Sequence, residues 1–396
     1  MNRPLYKEAQ TASLGSQGHR GLWFDRFFNR YQDDWKLGES AKLDWIKTVV
    51  GQAGDKSAIY AATSRLRQLC DTLGGETRAF AADWHFTTGL GNPHPVENGF
   101  LWHPTLGAPY IPGAAVKGLV RAWVEAWMEF DSKDGNEQRL TTLYRWFGSE
   151  DKDFKERRKL RDGGFVPPSG DRKIDTEAGA FIFFDALPTG PVTLKPDVMT
   201  PHMGDWYEKG GVDPMNPKVT PADWHDPVPV PFLVADRPKF QFSIAPRNEA
   251  ARKELEQLFG VLQCALEYLG TGAKTAAGYG RMEVDEKITR AFREEAEQLA
   301  RKAADASKTD NQRNIDGLRK AFAKQRSLGC KVRAGDALVR QMIGLLDAAV
   351  KDTWTAIEKR ELADLVATEY PYTLELGKKE KEIKKTLRIL RGEDLA

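Results

Sequence analysis

Gly270-Thr-Gly-Ala-Lys-Thr-Ala-Ala-Gly-Tyr-Gly280 is the stretch around which the chain is organised. Its four glycines permit backbone conformations closed to other residues, so a partner can approach the main chain closely. Lys274, Thr275 and Tyr279 add a cation, a hydroxyl and a flat ring. That mixture suits a phosphate-bearing ligand, an ordinary turn being the plain alternative. A nucleotide P-loop is excluded, because it needs a glycine directly before its lysine and Ala273 stands there. The element order is also reversed. Leu255, Leu258, Phe259, Leu262, Ala265, Leu266 and Leu269 recur at helical spacing before the loop, and 279–284 read as a strand after it.

Working outward, the 396 residues suffice for one large or two ordinary domains. Lys plus Arg number 59 against 57 Asp plus Glu, so only local fields could attract phosphates. The three cysteines, Cys70, Cys264 and Cys330, form neither a disulfide framework nor a zinc knuckle. With no signal-like N-terminus and no run of membrane-spanning length, a soluble cytoplasmic protein is expected.

Upstream, Leu22, Trp23, Phe24, Phe27, Phe28, Tyr31 and Trp35 form an aromatic stripe that reads as a buried helix face. A base-stacking or partner surface is the other reading. Residues 39–73 are expected to continue as helix until Gly74-Gly75, making 1–78 a helical segment packed on a core at 79–288. Within that core, Ala79–Gly89 reads as one strand. Next, 108–121 passes from a proline-stiffened arm into a helix, with Gly113 at its start, where free N–H groups favour an anion. Lys117 and Arg121 then lie at i and i+4 on one side.

The basic run Lys155–Arg161 reads as a solvated surface or an RNA contact. Prolines crowd 187–231 so densely that an irregular insertion is expected there. Strands at 230–235 and 239–244 precede the helix and glycine loop. The succession strand, helix, strands, helix, loop, strand implies an α+β, ferredoxin-like core. After 288 the pattern turns helical (290–306, 312–327, 335–351, 354–368, 377–391), an extension expected to form a small bundle against the core or a neighbour. Its final helix is lysine-rich, suited to a solvated face or to RNA.

Four segments carry a family resemblance. Pro109-Tyr-Ile-Pro-Gly-Ala-Ala-Val-Lys-Gly-Leu-Val-Arg121 resembles the PYIPGSSIKGxxR segment of the RAMP superfamily of CRISPR proteins, and Gly270–Gly280 resembles that superfamily's GxGxKTxxGYG loop. Phe183–Pro188 and Asp197–Tyr207 resemble its members in type III-B (Cmr) effector complexes. The resemblance spans roughly 20–288 and implies a non-catalytic backbone subunit in antiviral defence. Such a subunit would hold the 3′ part of a guide RNA, with its target duplex, beside other Cmr subunits. On this resemblance the RNA-binding set is Gly113, Ala114, Lys117, Arg121, Gly272, Lys274, Thr275 and Tyr279, without cofactor, metal or catalytic residue. The family's serine pair is Ala114-Ala115 here, so hydroxyl contacts there are lost while the amides remain.

Some RAMP relatives cut RNA, so a metal-independent endoribonuclease is the competing reading. It would need a paired acid and base, for which His94 and His103 are the candidates, with His85, His202 and His225 behind them. Asp185, Asp197 and Asp205 would serve a metal mechanism, although bonding of Asp197, His202 and Asp205 to loop amides is the simpler role.

Overall fold

The computed structural model describes residues 9, 11–16, 18–32, 34–128, 135–149, 177–201, 203–210, 212–213, 215–216, 219–222, 225, 227–333, 335–351 and 354–393. The basic run at 155–161 and His202 lie outside these. The chain forms two compact units, 1–294 and 295–396.

The first unit opens with α1 (Arg20–Arg26), α2 (Ala41–Lys47), β1 (Gly51–Ala53) and α3 (Lys56–Thr72). The single helix expected over 39–73 is therefore two, with a strand between them. Gly51 and Gly54 hold left-handed φ of +103° and +93°, which ends one helix before Asp55 caps the next through the Ala58 amide at 2.7 Å. Of the aromatic stripe, Phe24 and Phe28 are buried and Trp23, Phe27 and Tyr31 pack against the same core, whereas Leu22 and Trp35 are exposed. Because α1 ends at Arg26, the stripe is mostly core but only its first part is helix.

The chain continues as β2 (Glu76–Ala82), β3 (His85–Phe86), α4 (Gly113–Ala126), α5 (Gly135–Phe147), β4 (Gly148–Ser149) and β5 (Glu177–Ala178). It then runs through β6 (Phe181–Phe183), β7 (Leu187–Pro188), β8 (Val192–Met199), α6 (Gly204–Lys209), β9 (Val230–Asp236) and β10 (Lys239–Pro246). α7 (Glu249–Arg252), α8 (Leu255–Tyr268) and β11 (Met282–Val284) complete the unit. An antiparallel sheet has the order β11-β2-β10-β6, with β7 also pairing β10. Val116, Val120 and Val124 of α4 and Leu258, Phe259 and Leu262 of α8 share one core with Phe80 and Phe242 of this sheet. The architecture is α+β.

A second antiparallel sheet, β1-β8-β9-β3, was not expected. Ala79–Gly89 is not one strand: the chain leaves the first sheet at Ala82 and enters the second at His85. The proline-rich 187–231 stretch supplies a long inner strand of that second sheet. Pro196 is tolerated because β1 pairs only with residues 192–194, so β8 is an edge on that side at Pro196 and no ladder bond is lost.

The second unit contains most of α9 (Glu286–Ser307), then α10 (Asp310–Ser327), β12 (Val332–Arg333), α11 (Ala337–Lys351), α12 (Ala356–Thr373), β13 (Leu374–Glu375) and α13 (Glu380–Arg391). Capping boxes at Thr309–Gln312 and Thr355–Glu358 start α10 and α12. Leu318, Phe322, Met342, Leu346, Leu362, Val366, Leu387 and Leu390 form a core separate from that of the first unit. These helices follow the spacing of the sequence closely.

Candidate nucleic-acid interface

The glycine loop is bonded to the end of β3. Gly280 donates to the His85 carbonyl at 2.9 Å, Ala273 to the Thr87 carbonyl at 2.8 Å, and Thr271 to the Gly280 carbonyl at 2.9 Å. Closeness requires glycine at two positions. A Cβ on Gly272 would lie 2.3 Å from the Thr87 carbonyl, and one on Gly280 1.9 Å from the Thr271 carbonyl. Lys274 itself has a left-handed φ of +59° and precedes a single 3₁₀ turn, Thr275–Ala277. Among the described residues the amides of Gly272, Lys274 and Thr275 meet no backbone acceptor, so these three N–H groups, on either side of the bonded Ala273 amide, remain for an anion. The Lys274 ammonium rests 3.9 Å from Met199 Sδ and 5.4 Å from the Phe232 ring centre. It pairs with no carboxylate among the described residues.

Tyr279 turns the other way. Its ring is buried with Phe232 and Val234, and its hydroxyl donates to Asp197 Oδ2 at 2.7 Å. Burial first, then the Asp197 carboxylate, raise the Tyr279 phenol above its ordinary value. Burial would raise Asp197 as well. The bonds from Tyr279, the Val198 amide and His85 outweigh it, and the carboxyl lies below its usual range. His85 Nδ1 stands 3.3 Å from Asp197 Oδ2 and its Nε2 3.5 Å from Asp236 Oδ1. Over His85 lies the Trp84 ring, stacked at 4.8 Å and 13°. Trp84 is 42% exposed and Tyr279 only 6%, so the ring open to a base beside this loop is Trp84. The sequence reading missed Trp84; its only signal was a large aromatic next to the break between two strands.

At the second constellation α4 begins on Gly113, whose amide donates to Asp185 Oδ1 at 2.7 Å. A Cβ here would meet the Phe183 carbonyl at 2.3 Å. The anion at this helix start is thus the chain's own Asp185, which supplies the acceptor that no serine provides. Ala114 and Ala115 are exposed. Lys117 meets no carboxylate among the described residues, and burial, then Arg121 and Arg247, lower its ammonium below the ordinary value. Arg121 pairs with Glu125 at 3.0 Å on the same helix. Lys117, Arg121 and Arg247 therefore make one basic patch, of which only Arg247 was absent from the sequence reading. Arg247 sits just beyond β10, where no spacing pattern connects it to α4.

The two constellations do not merge into one pocket. Phe183 is level with Glu76 through Ile244, whereas the loop returns to the sheet beside Ala82. Those are opposite ends of β2, six residues or roughly 20 Å apart along the strand.

The histidines are engaged separately. His94 Nε2 is 2.9 Å from the Phe24 carbonyl, and its Nδ1 accepts from Val96 at 3.2 Å. His103 Nδ1 faces the Thr105 and Leu106 amides at 3.4 and 3.3 Å. Burial lowers both imidazoles. Asp205 pairs with Lys209 at 2.8 Å on exposed α6.

The sequence profile of the RAMP superfamily matches residues 74–283, just over half of the chain. The CRISPR system Cmr subunit Cmr6 of Pyrococcus furiosus is 29% identical over 244 residues, covering 54% of this chain and 69% of that protein. Among solved structures, a chain of the type III-B Cmr-beta complex bound to cognate target RNA aligns with 20% identity and a TM-score of 0.43. That alignment covers 62% of this chain and 71% of the other. The crystal structure of Cmr6 from Pyrococcus furiosus aligns with 25% identity and a TM-score of 0.28, over 53% and 97% of the two chains.

Proposed function

The chain belongs to the RAMP superfamily, and from that membership we propose that it is a non-catalytic backbone subunit of a type III-B CRISPR RNA-guided complex. It holds the 3′ part of the guide RNA, with its target duplex, beside other subunits of a Cmr complex in the cytoplasm. Its similarity to the Cmr6 subunit supports the choice of complex. The first sheet is read as ferredoxin-like. Its six elements, β2, α4, β6, β10, α8 and β11, and the order β11-β2-β10-β6 support that reading.

The observation that carries the RNA role is the glycine loop. Its tyrosine is tucked inward onto Asp197, while free amides and Lys274 remain on a surface flanked by the exposed Trp84 ring. Such a surface grips phosphate oxygens and stacks on a base without reading its identity, leaving sequence to base pairing. The patch of Lys117, Arg121 and Arg247, roughly 20 Å away along the sheet, gives the strand a second hold. Against cleavage by an acid–base pair stands the geometry of His94 and His103, the first bonded to the Phe24 carbonyl of α1 and the Val96 amide, the second to the Thr105 and Leu106 amides.

Crosslinking from guide RNA in a reconstituted complex tests the role, with labelled target RNA present with and without Mg²⁺. Crosslinks to the 270–280 loop or Trp84, with uncut RNA, are expected. Cleavage abolished by His94→Ala or Asp205→Ala would replace this reading with the nuclease.

A further inference from the structure

The last helix of the second unit, outside the region matched to the superfamily, carries a one-signed face. Ile383, Leu387 and Leu390 of α13 are buried in that unit's core. On the outer arc of α13 Lys381, Lys385 and Arg388 are exposed, four and three residues apart, and Lys378 is exposed in the 3₁₀ turn Gly377–Lys379 just before it. Such spacing aligns the three helical residues in one stripe, with steps of about 4.5–6 Å along the axis, and Lys378 precedes it at the helix start. None of the four pairs with a carboxylate within 4 Å among the described residues. The stripe's borders are neutralised differently: Lys384 pairs with Glu380 at 2.7 Å and Arg391 with Asp364 at 2.7 Å. Glu382 stands at the edge of the arc, and Ile389 is its one exposed apolar side chain.

A merely solvated face has no need of this pattern. On α10, Asp310 pairs with Arg313 and Asp316 with Arg319, each at i and i+3. Like charges at those spacings repel and weaken a helix. Lys381–Lys385 and Lys385–Arg388 repeat that unfavourable spacing. Glu382, three residues before Lys385, is the one acid of α13 at helical spacing from them, and among the described residues no ion pair within 4 Å joins it to them. A polyanion converts the repulsion into attraction and gains the release of its condensed counterions. A protein partner would be expected to seat a large apolar anchor at the centre, which this arc lacks.

We propose that Lys378, Lys381, Lys385 and Arg388 form an RNA-binding ridge that clamps a single-stranded phosphate backbone independently of sequence, as a site separate from the glycine loop. The choice of RNA as the polyanion rests on the RNA-guided role proposed above; the ridge itself rests on the charge pattern.

The test uses the full chain and fluorescently labelled single-stranded RNAs of two unrelated sequences, titrated across salt concentrations. Lys381→Glu, Lys385→Glu and Arg388→Glu are combined in one variant. An equally charged control combines Lys302→Glu, Lys320→Glu and Lys324→Glu elsewhere on the unit. The ridge variant should weaken both RNAs by roughly tenfold or more and flatten the logarithmic salt slope by about 2, at about 0.7 per phosphate contact. The control should hardly change either quantity. Equal effects of ridge and control, or an unchanged ridge variant, overturn the proposal. So does a ridge variant that keeps RNA affinity but no longer joins neighbouring subunits, which makes the stripe a protein-docking face. Should the reversals unfold the helix, replacement of the same three residues by Gln is read by the same slope. A variant of the first unit combining Lys117→Glu, Arg121→Glu and Lys274→Glu separates the two readings. Loss in the ridge variant alone supports the ridge and sinks the role given to the loop; loss in the first-unit variant alone does the reverse.

Discussion

The Tyr279 hydroxyl donates to Asp197 Oδ2 at 2.7 Å, tying the glycine loop of the first sheet to a strand of the second. Beneath the same oxygen sits His85 Nδ1, at 3.3 Å. Tyr279 is therefore the internal anchor that lets the rest of the loop face outward.

Removing that hydroxyl should loosen the protein without weakening RNA binding directly. A hydrogen bond to a charged acceptor contributes about 1.5–3 kcal/mol, so Tyr279→Phe is expected to cost about 1–2 kcal/mol at this partly open site. Asp197 is held below its ordinary value, and its contribution is present above the usual carboxylate value and lost as pH falls through the lowered one. Urea unfolding of both proteins at neutral and acid pH checks this. A variant as stable as the parent, with weaker RNA binding, would make Tyr279 a contact residue.

Glycines of similar appearance should differ sharply. Gly280 has φ +70° and its Cβ would collide with the Thr271 carbonyl, so Gly280→Ala should cost more than about 2 kcal/mol. Gly118 lies exposed within α4 with nothing within 4 Å of a Cβ. Gly118→Ala should instead stabilise by about 0.5–1 kcal/mol. Thermal melting of the two variants distinguishes them, and a shift of the same sign in both contradicts the loop geometry.

How much of this was legible depended on the kind of signal. The helices of the second unit were plain because their apolar residues recur at helical spacing; the capping boxes at Thr309 and Thr355, which fix where two of them start, were not read. The α+β class was implied by the succession of elements. The second sheet was hidden, because Pro196 argues against an inner strand and is acceptable only where β1 has already ended. The step from β2 to β3 was hidden too, since alternation continues through Asp83-Trp84 while the partner strand changes. The glycine loop was recognisable as a place of close approach, but a tyrosine between two glycines can point either way. Only Asp197, more than 80 residues away, decides that it points inward.

The thiols should react in order of exposure. Burial first, against a bond to Thr77, pushes the Cys70 thiol up to about 11, whereas Cys330 is exposed. Near neutral pH a maleimide should label Cys330 in the native protein and reach Cys70 only on unfolding. Mass spectrometry of the labelled peptides reads this, and Cys70 modified as fast as Cys330 would contradict the packing of α3 on β2 and β10.

Glu358 should set the acid limit of the helical unit. Its buried carboxylate accepts from Thr309 Oγ1 at 2.6 Å, the Thr355 amide at 2.9 Å and Asn311 at 3.3 Å, linking the starts of α10 and α12. The Thr309 bond first, then the Thr355 amide, pull it down to about 2. Because its folded value is depressed, its stabilisation is present above the ordinary 4.5 and disappears as pH falls from there toward about 2. Glu358→Gln should lower the melting temperature at neutral pH and lose less between those two pH values than the parent. Circular dichroism melts at a series of pH values measure it, and parallel curves would contradict it.

The central claim is that the first unit grips RNA through its backbone and not its sequence. The most direct measurement is the affinity of the Lys117→Glu, Arg121→Glu and Lys274→Glu variants for several unrelated guide RNAs, each across a range of salt. The expected result is a similar loss for every guide and a logarithmic salt slope flatter by about 0.7 for each phosphate contact removed. Loss confined to one guide sequence, or unchanged slopes in all three variants, would contradict it.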